Sequence, residues 1–174
     1  IYKNEYKKYL FDYIIGSVHR SGGISIFNRN RWKRLNDEEK KAAKDEYYEL
    51  IEQSARCGVF HILGHIDAMK AYYPPFSEIR SDKVEQALKA IAECGTAIEV
   101  NTSGKTKDVG GWYPSNEILE MALFYGVDVT FGSDAHTPKR IADEWEDVKN
   151  KLREIGYRHW VYYENQQRVV VPIT

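Results

Sequence analysis

Cysteine is scarce in this 174-residue chain, with only Cys57 and Cys94. Two isolated thiols and no Cys-x-x-Cys pair exclude a disulfide framework and a thiolate zinc cluster. Each stands just before a glycine, and both read as buried thiols in a reducing compartment. Long apolar runs are missing too. No stretch approaches the roughly 18 residues needed to cross a membrane, and nothing reads as a signal peptide, so a cytoplasmic protein is expected. An excess of one charge is also lacking. Lys and Arg number 25 against 26 Asp and Glu, a net charge of −1, which argues against a dedicated nucleic-acid binder. No linker, repeat or low-complexity stretch divides residues 1–174, which suit a single domain with a real core. The chain opens Ile1-Tyr2-Lys3-Asn4 without Met, and it is expected to be part of a longer polypeptide.

What is present is an alternation of strands and helices. Strand-like runs over Tyr13–His19, Phe60–Ile66, Ala97–Val100 and Val127–Gly132 are mostly apolar and rich in Ile and Val, as in strands buried on both faces of a parallel sheet. A helix over Asp37–Cys57 puts Ala43, Tyr47, Leu50, Ile51 and Ser54 on one stripe. A second, from Ser81 to Gly95, carries Val84, Ala87, Leu88 and Ile91, and a third runs from Pro114-Ser115 to Gly126. A fourth, capped by Thr137-Pro138, carries Ile141, Trp145, Val148, Leu152 and Ile155. The chain closes with a strand, a polar turn at Glu164–Gln167 and a last apolar strand. This is an α/β pattern. A doubly wound sheet fits the count of units, and so does a barrel seen without its first strands. The basic stretch Asn28–Arg34 reads either as a solvated insertion or as a lid offering positive charge to an anionic substrate.

Every core strand ends in residues that a core disfavours. The first ends Gly16-Ser17-Val18-His19 and the second Gly64-His65-Ile66-Asp67. The third gives Glu99-Val100-Asn101-Thr102-Ser103-Gly104, and the fourth Gly132-Ser133-Asp134-Ala135-His136. The carboxyl ends of parallel strands share one rim, where sites are built. Three histidines and two aspartates should therefore converge. Imidazole with carboxylate suits Zn²⁺, Mn²⁺ or Fe, and Asp134-x-His136 sets two ligands on one side of a strand end. A lone buried histidine is more often core than ligand, but four such clusters at successive strand ends point to a metal site. His61, at the opposite rim, and His159, before a terminal strand, read as structural.

In that order, these four segments resemble the PHP family of metal-dependent phosphoesterases, and within it the histidinol-phosphate phosphatases. The resemblance runs from Phe11-Asp12-Tyr13 to Val171-Pro172-Ile173. It implies a PHP-type (β/α)7 TIM-like barrel with two or three divalent ions (zinc, manganese or iron) on its C-terminal rim. By resemblance His19, His65, Asp134 and His136 are metal ligands, with Asp134 and His136 catalytic. Asn101, Ser103, Lys105 and Lys107 are the candidate substrate-binding residues. The implied reaction is hydrolysis of a phosphomonoester, L-histidinol phosphate to L-histidinol, in histidine biosynthesis. A small phosphorylated metabolite is then the partner required, with neither nucleic acid nor membrane.

The chain departs from the family pattern in three places. Family members carry an early His-x-His and an acidic ligand, yet no histidine precedes His19, so the N-terminal strands of the barrel are expected to be absent. The segment after Gly104 usually carries an arginine for the phosphate and here reads Lys105-Thr106-Lys107, which offers point charges without a planar fork. The second strand usually begins with Asp where this chain has His61. The rival expectations are a PHP phosphoesterase for another small phosphate, a nuclease-like PHP module, and a metal-free, non-catalytic barrel module.

Overall fold

The computed structural model describes residues 2–6 and 8–174. A short helix α1 (Tyr2–Tyr6) precedes strand β1 (Ile15–Gly16) and a small hairpin of β2 (Arg20–Ser21) and β3 (Ile24–Ser25). Helix α2 (Asp37–Arg56), β4 (Ile62–Leu63), α3 (Lys83–Cys94), β5 (Ala97–Asn101), α4 (Asn116–Phe124), β6 (Val129–Gly132) and α5 (Trp145–Ile155) follow. A hairpin of β7 (His159–Glu164) and β8 (Gln167–Pro172) closes the chain.

Strands β1, β4, β5 and β6 lie side by side in that order, all parallel. The spatial order follows the chain order without reversal, so the switch point of a doubly wound sheet does not occur among them. Nor does the sheet close: among the described residues it is an open four-stranded α/β layer and not a complete barrel.

Side chains alternate across a strand, so this sheet has two distinct faces. On one, Leu63, Ile98, Val100 and Val129 join a large core with Tyr47, Tyr48 and Ile51 of α2, Leu88 and Ile91 of α3, and Leu119 of α4. On the other, Ile62 and Ala97 meet Val161 and Tyr163 of β7 in a smaller cluster. That second face continues upward as Glu99, Asn101 and Gly132, where the hairpin no longer covers it. The hairpin turn at Asn165 and Gln166 has φ of 50° and 62°, the geometry of a two-residue type I′ turn. Asp12 ties it down, accepting from the Asn165 N–H on Oδ1 and from the Gln166 N–H on its carbonyl, both at 2.8 Å.

Several expectations need correction. Both cysteines are exposed: each lies where a helix ends and the chain turns outward. The buried stripe of α2 is Lys44, Tyr47, Tyr48, Ile51 and Ala55, rotated because Lys44 is drawn inward to donate to the carbonyls of Phe76 (2.9 Å) and Ile79 (2.7 Å). The fourth helix starts only at Trp145, since Ala142 and Glu144 take φ of 58° and 61°, and Ile141 is left 71% exposed. The β2–β3 hairpin, turning at Gly22-Gly23, had no alternation long enough to announce it. Most of the basic stretch is solvated, as Asn28, Arg29, Asn30, Lys33 and Arg34 are exposed, but Trp32 anchors it: its ring is buried and stacks on Tyr73 at 4.7 Å. No helix among the described residues is long and apolar enough to cross a membrane.

Candidate active site

The uncovered end of the sheet opens into a cavity of about 760 Å³. His19, His65, Glu99, Asn101, Ser103, Lys107, Asp134, His136 and Arg140 contribute to its lining, as do Phe27 and Tyr72. The polar residues come from the ends of four neighbouring parallel strands: period two places Glu99 and Asn101 on one face of β5, while His65 and Asp134 stand just beyond their strands in left-handed turns. Ser17 and His19 follow β1, Glu99 and Asn101 sit on β5, and Asp134 and His136 follow Gly132 of β6.

Glu99 is the centre of the arrangement, and the sequence reading did not include it among the site residues. It is 8% exposed, and its Oε2 accepts from the His65 backbone N–H at 3.1 Å and from Asn101 Nδ2 at 2.8 Å. Burial, reinforced by the charge of Asp134, raises its pKa, while the hydrogen bonds from Asn101 and His65 oppose the rise. Space for this carboxylate is made by missing side chains. A Cβ on Gly132 would lie 1.9 Å from Glu99 Oε1, and one on Gly64 would lie 2.5 Å from Ser17 Oγ. The signal available in the sequence was a carboxylate in the middle of the apolar run Ala97-Ile98-Glu99-Val100.

His65 takes φ of 35° and Asp134 φ of 46°, left-handed conformations that non-glycine residues adopt at a cost and mostly at functional positions. The His19 and His65 rings meet edge to face with centroids 5.1 Å apart. Burial lowers both pKa values, and His65 lowers that of His19 further against the attraction of Asp134. Both imidazoles are thereby held neutral, the form that binds metals. His65 Nδ1 is buried with no hydrogen-bond partner.

Asn101 is fully buried. Its Oδ1 accepts from the Ser103 N–H at 2.9 Å, and its Nδ2 reaches Asp134 Oδ2 at 3.4 Å. Ser103 Oγ donates to the same oxygen at 3.2 Å. His136, exposed at the mouth, donates from Nδ1 to the Asp134 carbonyl at 2.9 Å, which leaves its Nε2 as a lone-pair donor.

The remaining expected residues divide. Lys107 lines the cavity. Lys105 does not, because its Nζ pairs with Glu144 at 2.9 Å. Arg140 lines the cavity instead, half-buried and paired with Asp143 at 2.8 Å. Its sequence context read as the first turn of a helix, so nothing marked it. Asp67, expected to converge with the histidines, turns away from them: it is buried, pairs with Lys70 at 2.7 Å and accepts from the Ser115 N–H at 2.8 Å. His61 accepts from the Ile14 N–H on Nδ1 at 3.1 Å, at the far rim.

Imidazole nitrogens and the Asp134 carboxylate fit a divalent ion in kind, and the unpartnered buried nitrogen of His65 is the type of atom a ligand satisfies. Among the described residues no three His, Cys, Asp or Glu side chains form a ready-made metal cluster.

The PHP domain model matches residues 2–103. A protein of Deinococcus radiodurans named as a probable histidinol-phosphatase is 32% identical over 150 residues, covering 85% of this chain and 56% of that protein. The histidinol-phosphatase of Lactococcus lactis is 24% identical over 166 residues, covering 90% of this chain and 61% of that protein. The chain thus spans between about half and three fifths of the length of these relatives. The crystal structure of histidinol phosphate phosphatase from Lactococcus lactis, complexed with zinc, L-histidinol and phosphate, superposes with a TM-score of 0.74 at 19% identity, over 97% of this chain and 67% of that one. With the family model covering more than half its length, this chain belongs to the PHP domain family.

Proposed function

We propose that residues 1–174 form one PHP domain of a metal-dependent phosphomonoesterase that converts L-histidinol phosphate to L-histidinol in the cytoplasm. One observation carries the reading: His19, His65, Asp134 and His136 line a single cavity together with Asn101 and Ser103. The names of the relatives support it, as do the zinc, L-histidinol and phosphate in the Lactococcus lactis structure. The open sheet is read as part of a (β/α)7 barrel, since it matches that larger chain over nearly all of its own length.

His19, His65, Asp134 and His136 are the residues that would hold the ions, two or three in number and zinc, manganese or iron in kind. Such ions supply Lewis-acid polarisation of phosphoryl oxygens and an activated water at neutral pH. The chain's own groups do the rest. Ser103 and Asn101 both donate to Asp134 Oδ2, which fixes the carboxylate that orients the attacking water and takes its proton. Lys107 and Arg140 offset charge developing on the phosphoryl oxygens. Asn101 supports the phosphate side indirectly, its buried amide accepting from the Ser103 N–H and so placing Ser103 at the cavity. Arg140 carries the planar guanidinium that the lysine loop lacks, with its Nη2 shared with Asp143 and the Thr102 carbonyl.

A second reading, hydrolysis of another small phosphate ester, draws on the Lys105–Glu144 pair, which takes one of the two loop lysines away from the substrate. Phosphate release from L-histidinol phosphate and from a panel of other metabolite esters tests both, before and after chelation and with zinc or manganese restored. Chelator-sensitive release favouring L-histidinol phosphate is expected. Preference for another ester replaces the substrate, and release indifferent to chelation defeats the metal-dependent reading.

A further inference from the structure

Glu144 stands outside the cavity lining, yet it joins two of the segments that shape the cavity. The first is the loop that leaves β5 at Asn101 and returns to it at Tyr113. It is closed there by the Asn101 N–H to the Tyr113 carbonyl at 2.6 Å and by the Tyr113 N–H to the Asn101 carbonyl at 2.9 Å. This loop carries Ser103 and Lys107 into the lining. The second is the turn between Thr137 and α5, which carries Arg140. The Glu144 carboxylate grips both limbs of the loop. Its Oε1 pairs with Lys105 Nζ at 2.9 Å on the outgoing limb, and its Oε2 accepts from the Trp112 Nε1–H on the returning one. The side chain is only 16% exposed. Burial would raise its pKa, but those two hydrogen bonds, with the charges of Lys105 and Arg140, hold it below the ordinary glutamate value.

The backbone of the turn is strained. Ala142 and Glu144 both have the left-handed φ values already given, which residues with a Cβ keep only where their surroundings impose them. Glu144 occupies the N-cap position of α5, where an acidic side chain ordinarily accepts from the helix N–H groups, yet it makes no capping hydrogen bond. Its carboxylate is turned to Lys105 and Trp112 instead. Within the same turn, Arg140 Nη2 meets Asp143 at 2.8 Å and the Thr102 carbonyl at 3.4 Å. Neither contact uses Nε or Nη1. The Ala142 N–H donates to Ser133 Oγ at 3.3 Å. The turn is thus tied to the β5 loop at Thr102, Lys105 and Trp112, and to the end of β6 at Ser133.

We propose that Glu144 is a positioning residue: by clamping Lys105 and Trp112 it sets the 140–144 turn against the β5 loop, and so holds Arg140 where an anionic group in the cavity meets its guanidinium. This rests on the phosphomonoesterase reading of the same cavity and deepens it, because it gives Lys105 a part in phosphate recognition without contact. The lysine anchors the residue that places the arginine. Displacing a group that aligns the reaction by about 1 Å costs up to about 10²-fold in rate. A clamp outside the cavity therefore controls turnover inside it.

The test is a double-mutant cycle in kcat/KM, run on the metal-loaded native protein with L-histidinol phosphate or with whichever ester of the panel above it prefers. Glu144→Ala is expected to lower kcat/KM by about tenfold to 10²-fold, and Arg140→Ala by at least as much. The double variant should lose no more than Arg140→Ala alone, because a misplaced arginine and a missing one are equivalent. Glu144→Gln, which still offers an oxygen to Trp112, should lose less than Glu144→Ala. Losses that multiply in the double variant, or a folded Glu144→Ala with wild-type kcat/KM, overturn the clamp. If Glu144→Ala does not fold, Glu144→Gly takes its place in the cycle, since glycine adopts a left-handed backbone freely. If the wild type hydrolyses no ester, the functional reading has failed and the clamp is judged by calorimetric binding of inorganic phosphate. Weaker phosphate binding in Glu144→Ala, not weakened further by adding Arg140→Ala, then supports it. No phosphate binding by the wild type, or undiminished binding by Glu144→Ala, overturns it.

Discussion

Strand β5 presents two faces that solve the same burial problem by different means. All five of its residues are buried. Ile98 and Val100, toward the helices, are satisfied by volume alone in the large core. Glu99 and Asn101, toward the cavity, are satisfied by direction: Glu99 Oε2 takes two hydrogen bonds, and the Asn101 amide uses both its oxygen and its nitrogen. Stability is thus concentrated on one face and chemistry on the other. Residues one position apart should give different mutational phenotypes.

The largest expected effect is on the cavity face. Asp134→Asn keeps shape and removes charge, and turnover should fall on the order of 10²- to 10⁴-fold, with a thermal midpoint close to wild type by calorimetry. A large loss of stability in this variant would blur the two faces into one. On the helix face, Ile98→Ala should cost about 2–5 kcal/mol of stability by denaturant titration, while the folded fraction keeps its KM. Gly132→Ala attacks the boundary. Its new methyl would sit 1.9 Å from Glu99 Oε1, so one carbon should cost about 1–3 kcal/mol through overpacking and lower turnover as well. A fully active Gly132→Ala would mean that Glu99 does not need its present place.

The smallest effect is a pH dependence on the helix side. Burial lowers the Lys44 pKa to about 8 from 10.5, against the attraction of Asp67 and Asp45. The unfolded chain therefore holds this proton to higher pH than the folded one. The stability contributed by Lys44 is fully present above about 10.5 and is lost as pH falls through about 8. Lys44→Met should flatten the rise in stability between pH 8 and 10 seen in urea titrations and leave substrate preference alone. An unchanged slope contradicts that assignment.

Much of this division was legible in the sequence, because polar residues follow each apolar strand run. Gly132-x-Asp134-x-His136 and Asn101-x-Ser103 mark the carboxyl ends of two strands as polar without reference to any partner. Four polar strand ends in succession then require a shared rim. Glu99 was harder to see, since a carboxylate inside an apolar strand makes sense only once Gly64 and Gly132 are known to flank it. Phe27, Tyr72 and Arg140 were invisible for a different reason. Phe27 and Tyr72 come from irregular segments, whose path follows from tertiary contacts such as Arg29 with Asp108 and carries no periodicity, and Arg140 from a single 3-10 turn, Pro138–Arg140. Asp67 misled because its position after His65 matched the pattern, but a buried lysine, Lys70, lies within reach and turns it inward.

The central claim is that His19, His65, Asp134 and His136 act together on divalent metal. Metal content per chain, measured by mass spectrometry on wild type and on the His65→Ala, His136→Ala double variant after circular dichroism has established folding, tests it most directly. The account predicts bound zinc, manganese or iron in the wild type and a loss of metal together with phosphatase turnover in the variant. A folded variant with unchanged metal content and unchanged turnover would contradict it.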